Sequence, residues 1–136
     1  MDRLILSTPE ETAFFGEQFA SRVQMGSVIA LRGELGAGKT TFVQGFLQGL
    51  KIQDTAQSPT FNYLNIYEGS CPIYHFDLYR LNSEKDFIHF GFEEFLSPNG
   101  MTLIEWPERI STLLPRGCWN ISLSHSQEGR IVEVSQ

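Results

Sequence analysis

Val28-Ile29-Ala30-Leu31-Arg32-Gly33-Glu34-Leu35-Gly36-Ala37-Gly38-Lys39-Thr40-Thr41-Phe42-Val43 is the stretch that decides the architecture of this chain. An apolar segment, as in a buried strand, runs straight into a complete GxxxxGK[ST] pattern at 33–40, and a helical pattern continues from Thr40 to Leu50. The bare pattern would arise by chance in about one chain of this size in two hundred. Its position between a strand and a helix separates it from an ordinary glycine-rich turn. Three glycines let the main chain curl so that successive N–H groups converge on phosphate oxygens, at the positive end of the helix that starts near Lys39. The ligand implied is a nucleoside triphosphate, held along Glu34, Leu35, Gly36, Ala37, Gly38, Lys39, Thr40 and Thr41. Lys39 places a point charge on the β- and γ-phosphates, which also makes it a catalytic candidate. Thr40 offers a hydroxyl to Mg2+, an ion that takes oxygen ligands and keeps substrate phosphates and waters as the rest.

Upstream, Leu4-Ile5-Leu6 reads as a short strand. Thr8-Pro9-Glu10-Glu11 then signals a helix start, with Thr8 as N-cap, Pro9 in the first position and Glu11 closing a capping box. Phe15, Phe19 and Val23 follow at helical spacing, and Gly26 is expected to end that helix. Downstream, Phe61 to Tyr67 and Ile73 to Tyr79 read as a hairpin turning at Glu68-Gly69-Ser70. Short helices are expected over 83–90 and from Pro107 to near Leu114, with a buried strand, Met101 to Trp106, between them. Trp119 to Ser124 and Arg130 to Val134 form a terminal hairpin around Gln127-Glu128-Gly129. Strand-to-helix units mixed with hairpins predict an α/β fold, a three-layer phosphate-loop NTPase-like core whose mixed sheet carries antiparallel additions.

The 136 residues are expected to form one domain, with little room for a lid or a separate substrate domain. No stretch approaches the length of a membrane span, and the amino terminus lacks a basic region followed by an apolar core, so a soluble, unexported, cytoplasmic protein is expected, with no membrane partner. Cys71 and Cys118 form no CxxC arrangement and are read as free thiols. A net charge of −6 opposes direct binding to a phosphate backbone, and the ten basic residues form no run. Any role in nucleic acid chemistry is therefore expected to pass through a protein partner.

Three further constellations carry candidate chemistry. In Ile73-Tyr74-His75-Phe76-Asp77-Leu78-Tyr79-Arg80, a strand would put His75, Asp77 and Tyr79 on one face. Asp77 either orients an attacking water or a magnesium ligand, or lies on an exposed edge paired to Arg80 or Arg32. His75 reads as structural. Met101-Thr102-Leu103-Ile104-Glu105-Trp106 ends an apolar run in a carboxylate, where open α/β sheets bind ligands. Glu105 is thus either a magnesium ligand opposite Thr40, at a position where Asp is usual, or a cap for the helix beginning at Pro107. Trp106 reads as a packing residue. Thr60, in Ser58-Pro59-Thr60-Phe61, either senses the γ-phosphate or belongs to a strand-entry turn.

Together, Gly-Glu-Leu-Gly-Ala-Gly-Lys-Thr-Thr-Phe at 33–42, Ser-Pro-Thr-Phe at 58–61, His-Phe-Asp-Leu-Tyr-Arg-Leu at 75–81 and Glu-Trp-Pro-Glu at 105–108 resemble the bacterial TsaE (YjeE) family over nearly the whole chain. The resemblance implies an ATPase using ATP and Mg2+ that works with TsaB and TsaD in forming threonylcarbamoyladenosine in tRNAs reading codons that begin with A. It implies that hydrolysis supports turnover of the TsaB–TsaD complex, that transfer itself occurs on TsaD, and that tRNA is met only through these partners. It further implies Glu105 as the second magnesium ligand, Asp77 as the water-positioning group, Thr60 in a switch-like loop, and Thr8 and Arg130 flanking the adenine. The competing class is a small-molecule or nucleoside kinase, with Asp77 as base. That class usually needs an arginine-bearing lid, for which the chain has no insertion. No NKxD or DxxG element supports a GTP-driven switch.

Overall fold

The structure is a computed structural model and describes residues 2–57, 59, 62–96 and 98–136. Among them, seven strands form one sheet in the order β1-β7-β6-β2-β5-β4-β3. The strands are β1 (Asp2–Leu6), β2 (Val28–Arg32), β3 (Leu64–Glu68), β4 (Pro72–Asp77), β5 (Met101–Glu105), β6 (Trp119–Ser126) and β7 (Gly129–Ser135). The centre, β6-β2-β5-β4, is parallel, while β7 and β1 on one side and β3 on the other add antiparallel strands. The expected mixed α/β sheet with hairpin additions is the fold observed.

Alternation along the strands decides which layer each side chain joins. Ile29, Leu31, Ile73 and Leu103 enter a core shared with helices α1 (Pro9–Ala20) and α2 (Lys39–Gly49). Val28, Phe76 and Ile104 enter the opposite core, under α3 (Glu84–His89) and the 3-10 segments Phe92–Phe95 and Pro107–Leu113. His75 lies two residues beyond Ile73 and Glu105 two beyond Leu103, so both side chains emerge on the α2 face. Phe19, Phe42 and Phe46, all fully buried, fill the first core, and Trp119 meets Phe19 edge-on at 5.2 Å between ring centres. Helices α1 and α2 cross at glycines. A Cβ on Gly45 would strike the carbonyl of Ala13, and one on Gly16 the carbonyl of Phe42.

Several element boundaries depart from expectation. Helix α1 stops at Ala20, because the Ser21 hydroxyl and the Arg22 N–H take the carbonyls of Gln18 and Phe19. Val23 is buried as its spacing predicted, but from outside the helix. Strand β4 stops at Asp77, whose Oδ1 accepts the N–H of Tyr79 at 3.0 Å and turns the chain; Tyr79 does not continue the strand face. The segment opened by Pro107 is a 3-10 helix broken at Ile110 (φ −133°, ψ 37°). Strand β3 starts at Leu64, after Tyr63 in a left-handed conformation, and the expected start at Phe61 lies outside the described residues. Cys71 packs against one core and Cys118 against the other, and both are free.

Candidate functional site

The loop 33–38 leaves the carboxyl end of β2 and feeds α2, which opens at Gly38 in a left-handed conformation (φ 105°, ψ 14°). Helix α2 has no side-chain cap, whereas Thr8 and Ser83 cap α1 and α3. Its first turn therefore presents the positive helix end to an anion without a capping side chain in the way. Gly33 is fixed by crowding as well as conformation, since a Cβ there would lie 2.5 Å from the carbonyl of Leu123.

A cleft of about 350 Å3 opens beside this loop. Of the residues picked out by sequence, Leu35, Gly36, Gly38, Lys39, Thr40 and Thr41 line it from the loop and helix, and Thr8, Asp77, Glu105 and Arg130 line it from elsewhere. Glu34 and Ala37 do not line it. Glu34 is exposed and its carbonyl accepts the N–H of Ala37, which is buried beneath the loop. Thr60 lies outside the described residues.

The sheet register explains the carboxylate pair. Asp77 and Glu105 are directly opposite each other at the ends of the adjacent parallel strands β4 and β5. Glu105 is buried, its Oε2 2.6 Å from His75 Nε2 and its Oε1 4.0 Å from Lys39 Nζ. Lys39 donates to the carbonyl of Gly33 at 2.6 Å and sits 4.2 Å from the centre of the Trp106 ring. Burial lowers the Lys39 pKa, against the pull of Glu105, Asp77 and Glu108. Burial raises the Asp77 pKa, with Glu105 adding to the rise, while the Tyr79 N–H, His75 and Lys39 oppose it.

Two of the alternative readings, Asp77 paired to Arg32 and Glu105 as a helix cap, are not what the structure shows. Arg32 donates to Asn120 Oδ1 at 3.1 Å instead of Asp77. The 3-10 segment after Glu105 begins at Trp106 without a side-chain cap, so Glu105 caps nothing there.

Thr8 and Arg130 come together because Arg130 pairs with Leu6 in the β1–β7 ladder, which sets β7 beside the start of α1. Arg130 does more than flank the cleft. Its Nε donates to the carbonyl of Ala37 and its terminal nitrogen to that of Gly36, both at 3.1 Å, clamping the phosphate loop. Sequence reasoning missed this contact, and no local signal carries it. It also missed Trp106, which lines the cleft in a left-handed conformation (φ 59°) with Tyr79 at 5.0 Å between ring centres. The juxtaposition of Glu105 and Trp106 at a strand end was the available signal. Thr12, buried behind Gly38, also lines the cleft, and sequence reasoning did not single it out.

The donors suit magnesium. Among the described residues no three or more His, Cys, Asp and Glu side chains group into a metal cage. Mg2+ beside a phosphate loop needs none, since a hydroxyl, one or two carboxylates, phosphate oxygens and water satisfy it. Thr40, Glu105 and Asp77 bring hard oxygen donors to one cleft.

Fold and loop place the molecule among α/β phosphate-loop proteins. Within that class the chain belongs to the TsaE family: the family model for Threonylcarbamoyl adenosine biosynthesis protein TsaE matches residues 6–132. Over 127 residues it is 40% identical to the tRNA threonylcarbamoyladenosine biosynthesis protein TsaE of Treponema pallidum, covering 93% of this chain and 94% of that one. The protein of the same name from Synechocystis is 46% identical over 105 residues, 73% of this chain and 66% of its own length. The crystal structure of Bacillus subtilis YdiB superposes with a TM-score of 0.78 at 32% identity, covering 96% of this chain and 80% of that one. Among the described residues no helix is long and apolar enough to cross a membrane.

Proposed function

We propose that this chain is a cytoplasmic, Mg2+-dependent ATPase that supports turnover of a TsaB–TsaD complex forming threonylcarbamoyladenosine next to the anticodon of ANN-decoding tRNAs. The observation that carries the reading is the convergence of Lys39 and Thr40 with Asp77 and Glu105 in one cleft at the carboxyl ends of β2, β4 and β5. Lys39 neutralises the phosphates and Thr40 and Glu105 hold the metal. Bound there, Mg2+ offsets charge that builds on the phosphate oxygens. Asp77 orients the attacking water, and its desolvated carboxylate is a stronger proton acceptor than a solvated one. Thr60 reports on the γ-phosphate, and Thr8 and Arg130 flank the adenine.

Hydrolysis by the isolated chain is slow in this reading. Arg130 and Arg109 spend donors on backbone carbonyls, and an arginine supplied to the transferring phosphate is worth about 10³ to 10⁵ in rate. Partner binding raises the rate. The test is multiple-turnover tRNA modification by TsaB and TsaD with wild type, Lys39→Ala or Glu105→Ala added. The reading requires that only wild type sustains turnover and that phosphate release rises with both partners. A wild type that hydrolyses ATP yet adds nothing to modification would sink it and leave the kinase class, with Asp77 facing an acceptor hydroxyl.

A further inference from the structure

We propose that His75 is a positioning residue for Glu105, holding one carboxylate oxygen so that the other is presented to the cleft. This rests on the reading of Glu105 as a metal ligand. His75 is fully buried, and its Nε2 lies 2.6 Å from Glu105 Oε2, leaving Oε1 on the Lys39 side. The other ring nitrogen, Nδ1, has no hydrogen-bond partner among the described residues. The ring proton therefore resides on Nε2, where the carboxylate accepts it.

An imidazole enclosed in this way, with one nitrogen unanswered, carries a desolvation cost that an apolar side chain would avoid. Its neighbours on the same face, Ile73 on its own strand and Leu103 opposite it on β5, show that the layer accepts apolar residues. The buried ring lies beside Tyr67, with ring centres 6.5 Å and planes 26° apart. What the imidazole supplies is a fixed donor aimed at one oxygen. Without it the Glu105 carboxylate is free to turn toward the Lys39 ammonium, now 4.0 Å from Oε1, and close an ion pair that competes with the metal.

The test compares His75→Leu, which removes the donor, with His75→Gln, whose amide nitrogen reaches about where Nε2 stands. A fluorescent ADP analogue is titrated with Mg2+ at fixed protein, a readout independent of turnover. His75→Leu should raise the Mg2+ needed for half-maximal response by about 10- to 100-fold. Binding of the analogue without Mg2+ should stay as in the wild type, and His75→Gln should restore most of the Mg2+ response. A folded His75→Leu protein with the wild-type Mg2+ requirement overturns the proposal, as does equal impairment of the Leu and Gln variants, which marks a packing role. Glu105→Gln separates the two readings. If it alone raises the Mg2+ requirement, only the His75 role fails; if it changes nothing, the metal-ligand reading fails and takes the proposal with it. Should His75→Leu not fold, ring-nitrogen NMR of the wild type decides. A slowly exchanging proton on His75 Nε2 supports the proposal, and a proton on Nδ1 or in fast exchange refutes it.

Discussion

In the proposed mechanism Asp77 concentrates the conflict between stability and chemistry in a single side chain. Its carboxyl is raised from the ordinary 3.8 chiefly by burial, with Glu105 adding to the rise. Between the ordinary and the raised value the folded chain binds a proton that the unfolded chain has released. The stabilisation from that proton is complete below the ordinary value and lost as pH rises through the folded one. At neutral pH the ionised carboxylate is thus a net burden on the fold. Asp77→Asn keeps an oxygen for the Tyr79 N–H and removes the titration. The variant should melt above the wild type at neutral pH, with the gain shrinking as pH falls toward the ordinary carboxyl range. Its hydrolysis should drop by about 10²- to 10⁴-fold. Melting curves across pH test the first point, and a variant less stable than the wild type at neutral pH would show that the carboxylate is held by a favourable contact instead. Position was legible here before structure: the period of two put His75 and Asp77 on one face, and the apolar run ending in Glu105 marked the carboxyl end of a strand. The His75–Glu105 contact was not, because it needs the β4–β5 register that sets Asp77 opposite Glu105.

At the scale of elements, the strand, loop and helix at 28–49 and the two hairpins were legible because apolar periodicity and glycine-rich loop or turn residues agree there. What escaped were boundaries and close approaches. Helix α1 and strand β4 end where Ser21 and Asp77 side chains form local hydrogen bonds, and apolar spacing alone does not register that competition. The crossing of α1 and α2 was equally hidden. Glycine inside a helix reads as a weakness, yet Gly45 is where the backbone of Ala13 comes too near for any Cβ. Helix propensity and packing therefore make opposite predictions for Gly45→Ala. Propensity gives a gain of about 1 kcal/mol, and overpacking gives a loss of about 1–3 kcal/mol or more. Packing should win, because the obstruction is backbone and cannot rotate away. Denaturant unfolding measures the sign. Nucleotide affinity should fall as well, since α2 carries Lys39 and Thr40 at its first turn.

For the molecule as a whole, the cleft is the meeting point of segments far apart in sequence. Strand β2 launches the loop, β4 and β5 deliver the carboxylates, and the terminal hairpin returns Arg130 across 93 residues to the carbonyl of Ala37. Folding and nucleotide binding are linked through that return, because a ligand that binds only the folded chain stabilises it by mass action. At a hundredfold excess over the dissociation constant the wild type should gain about 2.7 kcal/mol from Mg-ATP. Arg130→Ala leaves the loop residues in place but releases the carbonyls of Gly36 and Ala37, so ordering the loop must then be met from binding energy. A tenfold loss of affinity would follow if that ordering costs about 1.4 kcal/mol, and the gain at the same ligand concentration would fall to about half. Lys39→Ala should show almost no gain if Lys39 supplies the proposed charge on the phosphates. Melting curves with and without Mg-ATP measure all three. If Arg130→Ala is as strongly stabilised as the wild type, the phosphate loop holds its shape without the clamp. If it matches Lys39→Ala, the guanidinium contacts the nucleotide as well as the loop. An intermediate gain places Arg130 where its hydrogen bonds put it, as the link that makes the last hairpin of the chain part of the first motif.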